Sequence, residues 1–176
     1  MTCASSGGGY LWLGDVDGFM HCLDATFNFA SFRAHNAGPV RFCRQVPGSE
    51  SHLLVTVGRS IEESAASRLE EERVCVWNTK KWSLASKTSF PVCCRNLKAI
   101  AANTSVTALD EVVCLEVAAT MDVIILGHAK GAVQLIKGDI MSDRLVINIV
   151  LRAEVLLNSF CYSIVFLSVG RSRSYF

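Results

Sequence analysis

The sequence predicts an all-β fold made of repeated hairpins. Residues 13–23 align without gaps on residues 126–136, and each copy has an apolar run, a turn that ends in glycine, and a second apolar run. A third copy lies between them. It consists of residues 57–60 followed by residues 74–78, with the glutamate-rich segment between them treated as an insertion. Repeated strand–turn–strand units in one chain are typical of repeat architectures.

The turns identify the repeat as a hairpin. The first copy has Asp-Gly between its apolar runs, over residues 15–18, and the last copy has Gly131 at the matching position. Glycine adopts a positive φ without steric cost, so we expect Gly18 and Gly131 to have equivalent positive-φ conformations. Both faces of the flanking strands are apolar, as expected for a hairpin packed between two neighbours. The prediction is therefore a partial β-propeller of about three blades of antiparallel strands.

The other segments fill in the blades. Residues 26–33 alternate with a period of two, which predicts a strand with Phe27, Phe29 and Ser31 on one face. Residues 59–72 are charged and lack an apolar stripe, which favours a solvated loop over a short helix. Residues 89–110 read as a linking loop with room for one strand. The remaining predicted strands are 10–14, 19–23, 40–45, 52–57, 73–78, 82–86, 112–118, 122–126 and 132–136.

Composition excludes several classes of protein. Apolar residues make up 51% of the chain and charged residues 19%, which is too apolar for a disordered protein. The length of 176 residues is enough for one domain with a sizeable core. The net charge of +1 gives no electrostatic case for binding nucleic acid or an anionic membrane.

The cysteines predict free thiols. Residues 1–9 lack the basic start and apolar run of an export signal, so we expect a reducing compartment and no structural disulfide. Cys93 and Cys94 form the pair that we expect to be exposed. Four others lie in apolar strand-like runs and are expected to behave as small buried hydrophobes: Cys22, Cys43, Cys75 and Cys114.

No residue pattern predicts a catalytic, cofactor-binding or metal site. Asp15, Asp17 and His21 could form a carboxylate–histidine site, but aspartate in a short turn usually binds its own backbone. His21 with Cys22, and His128, lack metal-ligand spacing. Two further features are expected to be inert. The glycines at 7–9 are no phosphate loop. Four basic residues are interpreted as ordinary surface charges: Arg41, Arg44, Lys80 and Lys81. We expect no enzyme, no cofactor and no small-molecule substrate.

The C-terminal part differs from the rest. Residues 145–169 are almost continuously apolar, yet the cleanest stretch, 155–169, is shorter than the about 20 residues that span a bilayer. One or two further strands, an irregular or helical tail, a membrane anchor and an alternative end of the protein all remain open. We therefore predict an incomplete propeller over residues 1–144 and a divergent tail over 145–176.

The amino-acid sequences of the hairpins resemble those of one family. The ending Val-Trp-Asn at residues 76–78 is similar to the Trp-Asp ending of a WD40 blade. More specifically, residues 2–144 resemble the N-terminal propeller of the vacuolar protein sorting-associated protein 11 family, a class C core subunit of the HOPS and CORVET tethering complexes. The matching pieces are Cys3-Ala-Ser-Ser-Gly7, the turn at 14–18, Phe32-Arg-Ala-His35, Leu54-Val-Thr-Val-Gly58, Val74-Cys-Val-Trp77, Lys137-Gly-Asp-Ile140 and Asp143-Arg144.

The resemblance implies a function without catalysis. It implies a propeller part of a subunit that tethers membranes in endosome-to-lysosome or vacuole traffic, with other class C tether subunits as partners. It also implies a cytoplasmic protein held peripherally on late endosomes, lysosomes or vacuoles through those partners. The family's further blades, α-solenoid and zinc-binding RING domain have no counterpart in this sequence, so no ubiquitin-ligase activity is implied. The alternatives are a WD40-like interaction module of another pathway and a small membrane protein anchored by residues 145–169.

Overall fold

The computed structural model describes residues 1–46, 52–61, 70–79, 92–98, 111–118, 123–129, 131–138 and 147–152. Every regular element in these ranges is a β-strand. The strands are β1 (Cys3–Gly7), β2 (Tyr10–Gly14), β3 (Phe19–Asp24), β4 (Phe29–Arg33), β5 (Val40–Gln45), β6 (Leu53–Ile61), β7 (Glu70–Asn78), β8 (Val92–Lys98), β9 (Val112–Val117), β10 (Val123–His128), β11 (Ala132–Lys137) and β12 (Ile147–Arg152).

The strands form three antiparallel sheets of four strands each. Each sheet pairs its strands in chain order, which defines blade 1 (β1–β4), blade 2 (β5–β8) and blade 3 (β9–β12). The first strand of blade 2, β5, contacts β1 on one side and β9 on the other. Meander sheets whose first strands lie side by side are the arrangement of propeller blades. The prediction of an all-β, partial β-propeller with about three blades is confirmed.

The glycine turns have the expected conformation. Gly18 has a φ of +87° and Gly131 a φ of +82°. Gly18 is also required for space, because a Cβ there would collide with the carbonyl oxygens of His35 and Gly38. These carbonyls belong to the loop that leads into blade 2, so Gly18 is buried while Gly131 is exposed.

In the middle copy of the hairpin, the structure of residues 57–60 differs from the one that the alignment predicts. Gly58 lies inside β6, paired with Arg73, instead of ending a strand. β6 and β7 continue as a paired ladder from Leu53 opposite Asn78 to Ile61 opposite Glu70. The predicted loop over 59–72 is therefore wrong at both ends, because the backbone ladder of a long hairpin persists through charged residues. Residues 62–69 lie outside the described residues.

Two predictions near the N-terminus also need correction. No strand was expected before Tyr10, yet β1 pairs along its whole length with β2, and its small residues fit closely against β5. The strand predicted over 26–33 begins only at Phe29. Residues 24–28 form a turn in which Phe27 has a φ of +60°, and both Phe27 and Phe29 are exposed.

Two hydrophobic cores lie between the blades. The blade 1–2 core is Trp12, Met20, Cys22, Phe32, Ala34, Val40, Cys43, Leu54, Cys75 and Trp77. The blade 2–3 core is Val46, Leu53, Val55, Val57, Val74, Val76, Val112, Leu115, Val117, Ile124, Leu126 and Ile136. Alternating residues of β6 therefore enter different cores, which explains why both faces of this strand are apolar.

Several predictions fall on residues that are not described. The strand at 82–86 lies outside the described residues, and so do the side chains of Cys93 and Cys94. β8 is the single strand for which residues 89–110 had room. β12 adds a fourth strand to blade 3 beyond position 144, and the boundary at 144 stays a prediction. Among the described residues, none belongs to a helix with the length and apolar character needed to cross a bilayer.

Candidate interaction surface

A buried chain of hydrogen bonds holds blade 2 to the loop that precedes it. His35 Nε2 lies 3.0 Å from Thr56 Oγ1, and Trp77 Nε1 donates to the same oxygen at 2.9 Å. His35 Nδ1 lies 3.3 Å from Ser60 Oγ. Burial lowers the pKa of His35 to about 4, so the imidazole is neutral at pH 7. These four residues bond to one another, and the chain of bonds fixes the face of blade 2 that contacts blade 1.

Blade 2 is tied to blade 3 by a charged network. Arg41 Nη1 donates to Glu72 Oε1 at 3.0 Å, and Arg41 Nη2 lies 2.6 Å from Glu111 Oε1. The other oxygen of Glu72 accepts the backbone N–H of Val112 at 3.0 Å. Arg41 is therefore an inter-blade contact, which corrects its reading as an ordinary surface charge. The sequence offered no signal for it, because one partner, Glu72, comes from the segment predicted as a solvated loop and the other, Glu111, is distant in the chain.

Blade 1 has one covered face and one open face. We define the open face as Leu11, Leu13, Leu23 and Phe29. Leu11 pairs with Leu23 across β2 and β3, and Leu23 pairs with Phe29 across β3 and β4, so these side chains form a row. Leu11 is 41% exposed and Phe29 is 61% exposed.

The same positions are buried in the other blades. In the gapless alignment Leu11 corresponds to Ile124 and Leu23 to Ile136, which are 0% and 3% exposed. In blade 2 the facing pair is Leu54 and Trp77, which are 0% and 8% exposed. Blade 1 therefore presents to solvent the face that blades 2 and 3 press against a neighbouring blade.

A rigid turn at the end of the open face displays Phe27. The Asp24 carboxylate accepts the backbone N–H groups of Thr26 at 2.8 Å and Asn28 at 2.9 Å. It also accepts the Thr26 hydroxyl and the Asn28 amide, both at 2.8 Å. Phe27 N donates to the Asp24 carbonyl at 3.1 Å. We call residues 24–28 the aromatic turn, and Phe27 at its tip is 84% exposed.

The aromatic turn carries a permanent negative charge. Hydrogen bonds from the side chains of Asn28 and Thr26 lower the pKa of Asp24 to about 2. The carboxylate is therefore ionised at any physiological pH. A bulky residue other than glycine with a positive φ is uncommon, and such strain concentrates at functional sites. The turn thus combines an exposed aromatic ring with an adjacent fixed anion.

The structure brings together Asp15 and His21 but not Asp17. Asp15 Oδ1 accepts the backbone N–H groups of Asp17 at 2.9 Å and Phe19 at 2.8 Å, while Oδ2 lies 2.9 Å from His21 Nε2. Burial raises the pKa of Asp15, but the hydrogen bonds from Phe19, His21 and Asp17 outweigh it and lower the pKa below its ordinary value. The His21 ring stacks on Phe29 with centroids 5.6 Å apart. Asp15 therefore organises the turn and the open face.

Blade 3 repeats this pair with different residues. His128 Nε2 lies 3.3 Å from Gln134 Oε1, and these positions align with Asp15 and His21. A cross-hairpin polar pair is thus a feature of the repeat. Within the part of the chain that the structure describes, no three His, Cys, Asp or Glu side chains converge on a point that could hold a metal ion.

The remaining candidates lie apart from these features. Gly8 and Gly9 form the turn between β1 and β2, with φ values of +58° and +82°. Arg44 Nε lies 4.0 Å from Glu116 Oε2, across the gap from blade 2 to blade 3. Lys80 and Lys81 are outside the described residues.

Comparison with known proteins decides the family. A family profile described as PEP5/VPS11 N-terminal matches residues 1–156. The chain belongs to this family. It is 31% identical over 146 residues to the vacuolar protein sorting-associated protein 11 homolog of Dictyostelium discoideum, and the match covers 83% of this chain. The same match covers only 13% of the Dictyostelium protein.

A solved structure is also similar to this member of the PEP5/VPS11 N-terminal family. It is the crystal structure of the β-propeller domain of Myceliophteria thermophila Cps50 (Swd1). The likeness has a TM-score of 0.38 at 11% identity and covers 85% of this chain and 56% of the other. The family match extends past position 144 to include β12, the strand that completes the sheet of blade 3.

Proposed function

We propose that this chain is a non-catalytic propeller part of a membrane-tethering complex subunit. It acts in vesicle traffic and fusion between endosomes and the lysosome or vacuole, as part of HOPS-like and CORVET-like assemblies. Membership in the PEP5/VPS11 N-terminal family supports a role in vacuolar protein sorting. The finer role rests on this membership together with surfaces suited to binding protein.

The observation that carries the proposal is the display of Phe27. An aromatic side chain held rigidly in solvent loses little conformational entropy on binding, and aromatic residues dominate the energy of protein interfaces. The hydrogen bonds of Asp24 provide that rigidity. Nothing inside the blade uses the exposed Phe27 ring.

The charge beside Phe27 indicates the chemistry of its partner. The ionised Asp24 would be repelled by an anionic lipid surface, which argues against insertion of the ring into a membrane. It would attract a protein pocket with an apolar floor and a rim of lysine or arginine. We assign this pocket to another class C tether subunit. Attachment to late endosomes, lysosomes or vacuoles is then peripheral and passes through that partner, with the chain on the cytoplasmic side.

The open face has a different occupant in this proposal. Its equivalents in blades 2 and 3 contact a neighbouring blade, so Leu11, Leu23 and Phe29 are suited to a further blade of the same propeller. The chain spans 13% of the length of the Dictyostelium relative, which leaves ample sequence for such blades in that protein. The aromatic turn lies at the end of the row and remains available to a partner.

The test is capture of class C tether subunits by the tagged 176-residue chain in cells. Phe27→Asn removes the ring but retains a residue that tolerates positive φ, so the turn is preserved. We expect it to reduce capture by about 30-fold, the effect of losing an interface residue worth ~2 kcal/mol. Val16→Ser is the matched control, because Val16 is 60% exposed in the turn between β2 and β3 of blade 1. It should leave capture unchanged.

Three results would contradict the proposal. Failure of the unaltered chain to capture any class C subunit would favour a module of another pathway. Equal capture by Phe27→Asn and the unaltered chain would remove the aromatic turn from the interface. Retention of the chain in membranes after carbonate extraction would favour the anchored protein instead of peripheral attachment.

A further inference from the structure

The first strands of blades 1 and 2 bring two cysteines together. Cys3 Sγ lies 3.6 Å from the carbonyl oxygen of Val40 and donates to it, and the backbone N–H of Gln45 donates to Ser5 Oγ at 2.9 Å. These two contacts set the register of β1 against β5. Cys43 lies between Val40 and Gln45 on β5, at the level of the gap between Cys3 and Ser5.

An irregularity in β5 turns Cys43 toward β1. The pairing of β5 with β6 shifts between Val40 and Phe42, which inserts Arg41 as an extra residue. As a result Val40, Cys43 and Gln45 are all buried, whereas Arg41 and Phe42 are only partly buried. Val40 and Cys43 both belong to the blade 1–2 core, against which Cys3 packs.

The two thiols differ in exposure and acidity. Cys3 is partly exposed and Cys43 is fully buried. The neighbouring Cys43 side chain lowers the pKa of Cys3 below its ordinary value, with further help from the Thr2 side chain. The same pairing, together with burial, raises the pKa of Cys43. An accessible, acidic thiol beside a second cysteine is the arrangement that favours controlled oxidation.

We propose that Cys3 and Cys43 form a peroxide-sensitive dithiol, with Cys3 as the attacking sulfur and Cys43 as the resolving sulfur, whose disulfide joins blade 1 to blade 2. This inference does not depend on the proposed tethering function.

The chemistry balances with one equivalent of hydrogen peroxide. The Cys3 thiolate attacks one peroxide oxygen and the O–O bond breaks, which leaves a sulfenic acid and a hydroxide that takes a proton to become water. The Cys43 sulfur then attacks the Cys3 sulfur and the S–O bond breaks. The departing hydroxide takes the Cys43 proton and leaves as a second water. The two sulfurs lose two electrons in total, and the peroxide gains them.

The buried cysteines of the same core provide an internal control. Burial raises the pKa of Cys22 to about 12, whereas the pKa of Cys3 is lowered below its ordinary value. Cys22 is also fully buried and Cys3 is partly exposed, so Cys3 should react with peroxide faster than Cys22. Cys75 is buried in the same core as Cys22 and serves as a second slow thiol.

The experiment uses the full chain with Cys93, Cys94 and Cys161 replaced by serine, so that only cysteines with a described side chain remain. Hydrogen peroxide is added at neutral pH, free thiols are blocked with iodoacetamide, and disulfide-linked peptides are identified by mass spectrometry. We expect one linked pair, Cys3 with Cys43, reversed by dithiothreitol. In Cys43→Ala, dimedone should trap Cys3 as its sulfenic acid, since the resolving sulfur is absent.

Other outcomes would overturn the proposal. A linkage of Cys3 to Cys22 or Cys75 would show that Cys43 is not the resolving residue. Overoxidation of Cys3 at the same rate in the parent chain and in Cys43→Ala would show that disulfide formation with Cys43 does not compete with further oxidation of the sulfenic acid. Equal oxidation of Cys3 and Cys22 would mean that Cys3 is not activated. Far-ultraviolet circular dichroism of Cys43→Ala before oxidation confirms that its blades are intact, and Cys43→Ser provides a second variant if they are not.

Discussion

Blade 1 and blade 2 present the same face to different surroundings. In blade 2 this face carries Leu54, Thr56 and Trp77, all buried against blade 1. In blade 1 the corresponding face carries Leu11 and Phe29, both exposed. The strand chemistry of the two faces is similar, so the difference comes from the neighbour: blade 2 has one on this side, and blade 1 has none in the described chain.

The comparison shows how a propeller blade is stabilised. The strands of a four-stranded blade pair with one another through backbone hydrogen bonds, but the apolar side chains of the blade are removed from water by adjacent blades. Blade 2 is covered on both faces, by the blade 1–2 core and the blade 2–3 core. Substitutions should therefore be costly on blade 2 and mild on the open face of blade 1.

The largest expected effect is at Leu54. Leu54→Ala should lower the free energy of unfolding by about 2–5 kcal/mol, because a fully buried leucine leaves a cavity. Leu11→Ala, the matched change on the open face, should cost below about 1 kcal/mol. Urea unfolding of dilute protein measures both. Equal losses for the two variants would show that the open face is covered in solution, for example by a second copy of the chain.

The next effect is a pH dependence due to His35. Its pKa is about 4 in the folded chain and 6.5 when unperturbed. Between these values the unfolded state binds more protons, so stability is complete above pH 6.5 and is lost as the pH falls toward 4. A shift of this size corresponds to about 3 kcal/mol.

The comparison with His35→Gln isolates this effect from the titration of carboxylates. The free energy of unfolding of the unaltered chain should fall more steeply between pH 6.5 and 4 than that of the variant. Parallel pH profiles would mean that His35 is not buried as an uncharged imidazole.

The sequence predicted the hairpins better than the contacts between them. Gly18 and Gly131 were correctly expected to have positive φ, because a tight turn between two strands allows few backbone conformations. The prediction that Phe27 lies on one face of a strand was wrong, because local hydrogen bonds to Asp24 replace the strand pairing there. A period-two pattern of side chains does not show where hydrogen bonds from a side chain to the backbone compete with strand pairing.

The missed features depend on long-range pairing. β1 has small and polar residues and becomes a strand because β2 pairs with it and β5 covers it. The chain of His35, Thr56 and Trp77 joins residues 21 positions apart at each step, and no local pattern connects them. All three residues lie in pieces that resemble the family, at 32–35, 54–58 and 74–77, but the resemblance does not show the hydrogen bonds that join them. The Arg41–Glu72 contact was likewise hidden, because its acidic partner lay in a segment that reads as solvated.

The smallest effect separates backbone strain from crowding at the glycine turns. Gly131→Ala should cost about 1–2 kcal/mol, because a residue with a Cβ is strained at a φ of +82°. Gly9 has the same φ of +82° and no atom within 4 Å of an added Cβ, so Gly9→Ala serves as the control for strain alone. Gly18→Ala should cost more than either, since its Cβ also meets the His35 and Gly38 carbonyls at the entrance to blade 2. Thermal unfolding of the three variants gives the order, and a Gly18 variant no less stable than the Gly9 variant would show that the first turn is not packed beneath that loop.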